Sequence, residues 1–250
     1  MRLVRYLWRV PLLLLHLLLA VPVAWMVQSD WAGQRKRGEE PLNQYLVRWW
    51  TRSMLRIIGI RPQRVGEPLP SPVMFVANHV SWLDIELLHS QRAVCFVAKA
   101  EIDRWPVIGW LARRAGTIFH RRGSNDSMAR VVESMASRLR QGRTVAAFPE
   151  GSTGPADSVR TFHARILQAA VLADAPIQPV ALRYCRHGEL CSAVCFGPGE
   201  SFFANVLRVI GEAPMDAEVH FLPVLDNRDQ GRKAMAGVAR ERVARALDLR

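Results

Sequence analysis

The chain has almost no lysine, few acidic residues and no CxxC pair, though Cys191 and Cys195 stand four apart. Its 250 residues hold 34 Lys plus Arg against 22 Asp plus Glu, a formal net charge of +12. Only Lys36, Lys99 and Lys233 are lysines, so the positive charge is nearly all arginine. This balance points to an anionic partner, and arginine suits bidentate phosphate contacts. Nucleic acid is the obvious anion, yet there is no zinc-finger spacing, no aromatic RNP-like strand and no basic zipper. Cys95, Cys185, Cys191 and Cys195 form no CxxC pair and have no histidine cluster beside them. They read as small apolar residues of a cytosolic protein, and no metal site is expected. A G-x-S-x-G elbow and the Gly-Lys pair of a Walker A loop are both missing, so neither a serine nucleophile nor a P-loop is indicated. Internal repeats and low-complexity tracts are absent as well. With 50% hydrophobic residues, the chain can bury a sizeable core, and its length suits one domain plus an anchor.

What is present begins with a stretch suited to lipid. Val10 to Val27 holds no Asp, Glu, Lys or Arg and contains Leu12-Leu13-Leu14-Leu15 and Leu17-Leu18-Leu19. Its length lies at the lower edge of a bilayer span. Arg2, Arg5 and Arg9 flank one side, Arg35, Lys36 and Arg37 the other, and Trp8, Trp25 and Trp31 sit near the ends as an aromatic belt would. Three readings stand: a cleaved signal peptide, a spanning helix, or a helix lying in one leaflet. The first is disfavoured because Ala20-Val21-Pro22-Val23-Ala24 makes a poor cleavage site. A membrane anchor is expected, with its depth open.

Residues 1–60 are expected to form this anchor and a basic amphipathic helix over 46–60 that ends at Gly59. Arg48, Arg52 and Arg56 share one face of that helix, which either lies on an anionic membrane or packs on the core with a solvated arginine stripe. Residues 61–250 are expected to form the catalytic domain, entered through a proline-rich loop carrying Pro62, Pro68, Pro70 and Pro72. There, strands are predicted at 73–77, 93–98, 117–120, 144–148, 177–184, 191–196 and 217–222. Helices are predicted at 81–89, 105–114, 124–141, 162–173 and 228–247. The alternation argues for an α/β fold, a mostly parallel sheet flanked by helices.

Two polar blocks interrupt this pattern. Asn78-His79-Val80-Ser81-Trp82-Leu83-Asp84 follows the first predicted strand, and Phe148-Pro149-Glu150-Gly151-Ser152-Thr153 follows the fourth. Ligands of parallel sheets gather at the carboxyl ends of strands, so both blocks are expected on one rim. His79 and Asp84 are five residues apart, about 500° along a regular helix, and can meet only if the chain bends between them. Ser81 as N-cap with Asp84 at the third helical position supplies such a bend. The pair then reads as a base and its orienter; otherwise Asp84 is a helix-start acid and His79 a loop residue. Gly116-Thr117-Ile118-Phe119-His120-Arg121-Arg122 ends a further strand with arginines that suit a phosphate.

In this order the blocks resemble the lysophospholipid acyltransferase family, whose best-known members are 1-acyl-sn-glycerol-3-phosphate acyltransferases. N-H-x-x-x-x-D is matched by Asn78, His79 and Asp84; G-x-I-F-x-x-R by Gly116, Ile118, Phe119 and Arg122. F-P-E-G-T-R-S is matched by Phe148, Pro149, Glu150 and Gly151, with Ser152 replacing threonine; a proline in an apolar strand is matched by Pro179. The resemblance implies that His79 is the general base on a lipid hydroxyl and that Asp84 supports it. It implies acyl carrier protein or coenzyme A as thioester donor, with no bound cofactor. Arg122, Glu150 and Gly151, with Ser152 and Thr153, would bind the acceptor's polar head, and Asn78, Pro149 and Pro179 would be structural. Thr153 stands where many phosphatidate-forming members have arginine, which removes a phosphate contact. Thr161-Phe162-His163-Ala164-Arg165 resembles the version acting on lyso-ornithine lipids, and Arg165 is the candidate replacement charge. Acylation of 1-acyl-sn-glycerol-3-phosphate to phosphatidate is the leading expectation and lyso-ornithine lipid the alternative. Outside this class stand a non-catalytic membrane lipid-binding protein and a hydrolase. The expected location is a bacterial-type inner membrane, with the catalytic domain facing the cytoplasm.

Overall fold

The computed structural model describes residues 1–27, 29–38, 40–120, 125–225 and 231–249. Its first part comprises α1 (Arg2–Val27), α2 (Asp30–Gln34), a small hairpin of β1 (Lys36–Arg37) and β2 (Glu40–Pro41), and α3 (Leu42–Ile58). Then follow β3 (Ile60–Val65), β4 (Met74–Ala77), α4 (Leu83–His89), β5 (Cys95–Lys99), a 3-10 turn (Ala100–Arg104), α5 (Ile108–Arg114) and β6 (Ile118–His120). The remainder is α6 (Asn125–Arg140), β7 (Val145–Ala147), α7 (Gln168–Leu172), β8 (Ile177–Arg186), β9 (Glu189–Leu190), α8 (Phe202–Ile210), β10 (Met215–Phe221) and α9 (Arg232–Ala246).

The main sheet has the order β3-β10-β8-β4-β7-β5-β6, with β9 beside β8. It is mostly parallel: only β10 with β8 and β9 with β8 run antiparallel. Strand β4 shows why the motifs sit where they do. All four of its residues are buried, with Phe75 and Ala77 in the core on one face and Met74 and Val76 in the core on the other. A strand buried on both faces reads as a continuous apolar run and needs helices on both sides. One core takes Leu55 and Ile58 from α3, Leu83, Leu87 and Leu88 from α4, and Val209 from α8. The other takes Met135 and Leu139 from α6 and Met235, Ala239 and Val243 from α9.

Helix α3 thus packs on the core through Thr51, Leu55 and Ile58, and α1 runs along it, with His16 stacked on Trp50 at 3.6 Å. The arginines on α3 are not one solvated stripe: Arg48 pairs with Glu40, and Arg52 donates to the Ser90 carbonyl at 2.9 Å. Helix α1 is long and apolar enough to cross a membrane, with little of it buried.

Four expectations are corrected. The proline-rich loop begins later than expected, because Ile60–Val65 forms an edge strand parallel to β10; proline is tolerated at an edge, where a missing donor disturbs least. Residues 191–196 are not a strand. Arg208 and Asn205 of α8, a helix the sequence pattern did not indicate, pull this segment away from the sheet by donating to the Ala193 and Cys195 carbonyls. The helix expected at 162–173 shrinks to Gln168–Leu172, since Arg160 and His163 donate backbone N–H groups to Glu150 and Pro149 instead. The helix expected from Trp105 begins at Ile108, after Pro106 and a Val107 with φ of 62°, a backbone that a β-branched residue rarely adopts.

Candidate active site

Strands β4 and β7 are neighbours in register, Val76 opposite Ala147, so the segments leaving their carboxyl ends emerge side by side. On the other flank Val76 lies opposite Pro179 of β8. Pro179 has no N–H to give the ladder; its carbonyl accepts from Leu222 at 3.0 Å. Beyond the end of β4, Asn78 continues the pairing with its side chain. Its Nδ2 donates to the Leu182 carbonyl at 3.0 Å, and its Oδ1 accepts from the Leu182 N–H at 2.8 Å. The chain is held to β8 there while it begins to turn.

The turn brings His79 onto Asp84. His79 Nδ1 lies 2.8 Å from Asp84 Oδ2. The same oxygen accepts from the N–H groups of Val80 (2.7 Å) and Ser81 (2.9 Å), while Oδ1 accepts from the Tyr184 hydroxyl (2.7 Å). Asp84 is wholly buried, and a buried carboxylate is tolerated only with such partners. The contact from Ser81 N–H to Asp84 is the backward-reaching half of a capping box. The forward half is weak: α4 is assigned from Leu83 with Trp82 as cap, and Ser81 Oγ is 3.4 Å from the Leu83 N–H. With Asp84 already filled by donors, His79 Nδ1 carries the proton and donates it, leaving the lone pair on Nε2. Burial, and then the adjacent Asp84, push the Tyr184 phenol well above its ordinary value, so it stays a donor. His79 stacks on Phe148 at 4.0 Å and 10°, which fixes the ring plane, and its side chain keeps 16% exposure.

The Glu150 loop holds the histidine from behind. Glu150 is buried; its Oε1 accepts the His79 N–H at 2.9 Å, and its Oε2 accepts Arg160 N and Nε at 3.2 Å each. Gly151 adopts φ of 77°, a left-handed backbone that favours glycine. Gly154 N–H donates to the His79 carbonyl at 2.7 Å. Ser152 accepts from Arg160 through both its carbonyl and its hydroxyl. Pro149 is buried, and its carbonyl accepts from the His163 N–H at 3.0 Å. Thr153 and Gly154 border a cleft of about 540 Å³ whose lining includes Asp157, Leu190, Cys195 and Phe196. Burial, and then Asp84, push the Cys195 thiol up to about 11, so it stays protonated at neutral pH.

Asn78, His79, Asp84, Glu150 and Gly154 are therefore drawn into one connected set. Arg165 is exposed in the turn ahead of α7, and Arg122 lies outside the described residues. Tyr184 and Arg160 were not singled out by the motifs. Tyr184 carried a signal, a phenol in an apolar strand that needs a buried partner; Arg160, one arginine among many, carried none. Among the described residues no group of His, Cys, Asp or Glu is placed to hold a metal ion.

The acyltransferase family model matches residues 61–183. A lyso-ornithine lipid O-acyltransferase of Pseudomonas aeruginosa is 35% identical over 223 residues, spanning 88% of this chain and 86% of that one. The chain belongs to the acyltransferase family. A 1-acyl-sn-glycerol-3-phosphate acyltransferase of Neisseria gonorrhoeae is 37% identical over 127 residues, but covers 51% of this acyltransferase and 50% of its own length. The crystal structure of the 1-acyl-sn-glycerophosphate (LPA) acyltransferase PlsC from Thermotoga maritima matches 99% of the acyltransferase and 96% of that chain. Its TM-score of 0.72 at 17% identity establishes the shared fold. The protein is an O-acyltransferase of the lysolipid-acylating kind, built on a mostly parallel sheet flanked by helices.

Proposed function

We propose that this acyltransferase moves a fatty acyl chain from acyl carrier protein or coenzyme A to the hydroxyl of a lyso-ornithine lipid. The observation that carries the chemistry is the His79–Asp84 pair at 2.8 Å, with Asp84 buried under three further donors. His79 Nε2 takes the proton of the acceptor hydroxyl as that oxygen attacks the thioester carbonyl carbon. A C–O bond forms and the carbonyl becomes a tetrahedral oxyanion. The oxyanion collapses, the C–S bond breaks, and the imidazolium returns its proton to the departing thiolate. Asp84 keeps the ring in the productive tautomer and stabilises the imidazolium without taking the proton.

The choice of acceptor is supported by the length of the likeness. The Pseudomonas relative aligns over most of both chains, and a lyso-ornithine lipid O-acyltransferase of Brucella abortus is 33% identical over 81% of each. Thr153, in place of an arginine, borders the cleft together with Gly154, whose N–H holds the His79 carbonyl, and offers a hydroxyl where a phosphate would want a cation. These points reverse the order of acceptors expected from the motifs alone. The second reading, 1-acyl-sn-glycerol-3-phosphate, is supported by the higher identity to the Neisseria enzyme across the motif-bearing half. By the same reading, Gly151, Ser152 and Thr153, with Arg122 and Arg165, bind the acceptor's head. Glu150 acts through the His79 backbone it holds. The α1 helix holds the enzyme at a bacterial inner membrane with the sheet on the cytoplasmic side.

The test is purified full-length enzyme given each lysolipid with one acyl thioester. Ester formation on lyso-ornithine lipid is expected. Turnover of 1-acyl-sn-glycerol-3-phosphate alone overturns the acceptor, and release of free fatty acid without any acceptor makes the protein a hydrolase.

A further inference from the structure

Helix α8 buries Val209 and Ile210 and still leaves large apolar side chains in water. Its inner side carries Asn205, fully buried, and Arg208, whose guanidinium pairs with Glu200 at 2.7 and 2.9 Å. Its outer side carries Phe203 and Leu207, one turn apart and 64% and 58% exposed. Trp105 stacks on Phe203 with ring centroids 5.6 Å apart, and Val107 and Ile108 stand exposed beyond it. A contiguous exposed apolar patch marks an interaction site.

The patch continues into α1. The Tyr6 hydroxyl donates to the Leu207 carbonyl at 2.8 Å, Arg5 to the Gly211 carbonyl at 3.0 Å, and Arg9 to the carbonyls of Ile210 and Glu212 at 2.8 Å each. Arginines that the sequence placed as flanks of an anchor thus satisfy the carbonyl end of α8, where positive charge is favoured. The fit is close: a Cβ added at Gly211 would meet the Tyr6 hydroxyl at 2.5 Å, and one at Gly59 would meet Arg9 at 2.3 Å. Helices α1 and α8 are locked together, with Leu3 and Leu7 of α1 also exposed. Arg104 is exposed next to Trp105, a cation suited to anionic lipid headgroups, while Arg113 pairs with Asp103.

We propose that the outer face of α8, with Trp105, Val107 and Ile108, is a second membrane contact, immersed at the headgroup–acyl boundary of an anionic bilayer. Continuity with α1, the one helix long and apolar enough to enter lipid among the described residues, selects a bilayer over a protein partner. The contact also gives the acceptor a route. Trp82, two residues ahead of Asp84, donates to Asn205 of α8 at 3.0 Å and meets Phe202 edge-on at 5.8 Å. A lysolipid entering beside α8 reaches the His79 loop without crossing water. The route rests on the lipid-acceptor reading; the immersion does not.

The experiment places a nitroxide at Phe203→Cys or Leu207→Cys in the full chain, reconstituted in phosphatidylcholine–phosphatidylglycerol vesicles. The labelled parent chain, whose partly exposed thiol is Cys195, supplies the background. Collision with oxygen is expected to exceed collision with a water-soluble nickel chelate at both positions, and to fall below it at Val171→Cys on the opposite face. Water-like values at 203 and 207 overturn the proposal. So does dipolar broadening between labels, which identifies a second copy of this chain as the occupant. The double variant Phe203→Glu/Leu207→Glu should stay bound through α1 yet lose about tenfold or more of its activity on vesicle-embedded acceptor, while keeping activity on a short-chain dissolved acceptor. Equal activity on both overturns the route. A parent chain inactive on every lysolipid would sink the proposed function and leave the immersion result standing.

Discussion

The His79 loop and the Glu150 loop each bury a carboxylate against the same histidine, and they use it differently. Asp84 reaches the ring: its oxygens take His79 Nδ1, two neighbouring N–H groups and the Tyr184 hydroxyl. Glu150 reaches the backbone: its oxygens take the His79 N–H and Arg160. Asp84 decides what the imidazole does; Glu150 decides where the loop stands. Geometry for Asp84 comes mostly from residues within five positions of it, while Glu150 joins the loops after two neighbouring strands, His79 lying 71 residues away. A short polar motif can build the first arrangement by itself, but only the sheet can build the second.

The comparison can be broken most sharply at its shared residue. His79→Ala should lower acyl transfer by roughly 10⁴-fold while leaving folding and vesicle binding intact; retained transfer would remove the base from the mechanism. Asp84→Asn comes next, at about 10³-fold. With its oxygen in the Oδ2 place, the amide would keep the Val80, Ser81 and His79 donors, but its NH₂ would confront the Tyr184 hydroxyl donor and the negative charge that stabilises the imidazolium would be gone. A thermal melt separates this from unfolding. Glu150→Gln should cost only about tenfold, because the amide still accepts the His79 N–H and loses mainly the Arg160 ion pair. The loss should fall on kcat with KM for the acceptor nearly unchanged; a raised KM would instead put Glu150 on the headgroup and erase the contrast.

The smallest expected effect sharpens the comparison with a third carboxylate. Glu86 shares α4 with Asp84, but among the described residues its carboxyl has no hydrogen-bonded or ionic partner, and burial lifts its pKa from 4.5 to about 7. A raised carboxyl pKa means the folded state holds the extra proton, so the stability penalty grows as pH rises from 4.5 to about 7 and is complete above that. Glu86→Gln should therefore add about 1–3 kcal/mol at pH 8 and almost nothing at pH 4.5, read from denaturant melts at the two pH values. Equal effects at both would mean that Glu86 is solvated after all.

Much of the sheet was legible in advance because its strands are buried on both faces, and continuous runs such as Met74-Phe75-Val76-Ala77 leave few other options. Elements that serve polar contacts were not legible. Residues 162–163 sit in a sequence fit for a helix, yet the chain near them is committed to Glu150 and Pro149. The segment 191–196 looks like a strand, yet Asn205 and Arg208 hold its carbonyls. Helix α8 left no clear pattern because it carries apolar residues on both sides, Val209 and Ile210 buried and Phe203 and Leu207 exposed, with Asn205 among the buried ones. In the site, spacing alone left the His79–Asp84 pair open, since five residues do not return to one helix face; the bend before α4 closed it.

The sequence by itself determined the membership of the family, the alternating architecture and the placement of both polar blocks after strands. Those features follow from local patterning and from residues whose chemistry has few other uses. The tertiary structure decided which blocks touch. It put Tyr184 on Asp84 and Arg160 on Glu150, and it turned the arginines of α1 away from a flanking role onto the carbonyl end of α8. Tyr184 and Asp84 are 100 residues apart and the α1–α8 contacts about 200, while Arg160 reaches Glu150 across a ten-residue loop. Each exists because a buried polar atom must find a partner, and only the register of the sheet and the packing of the helices determine which partner is within reach.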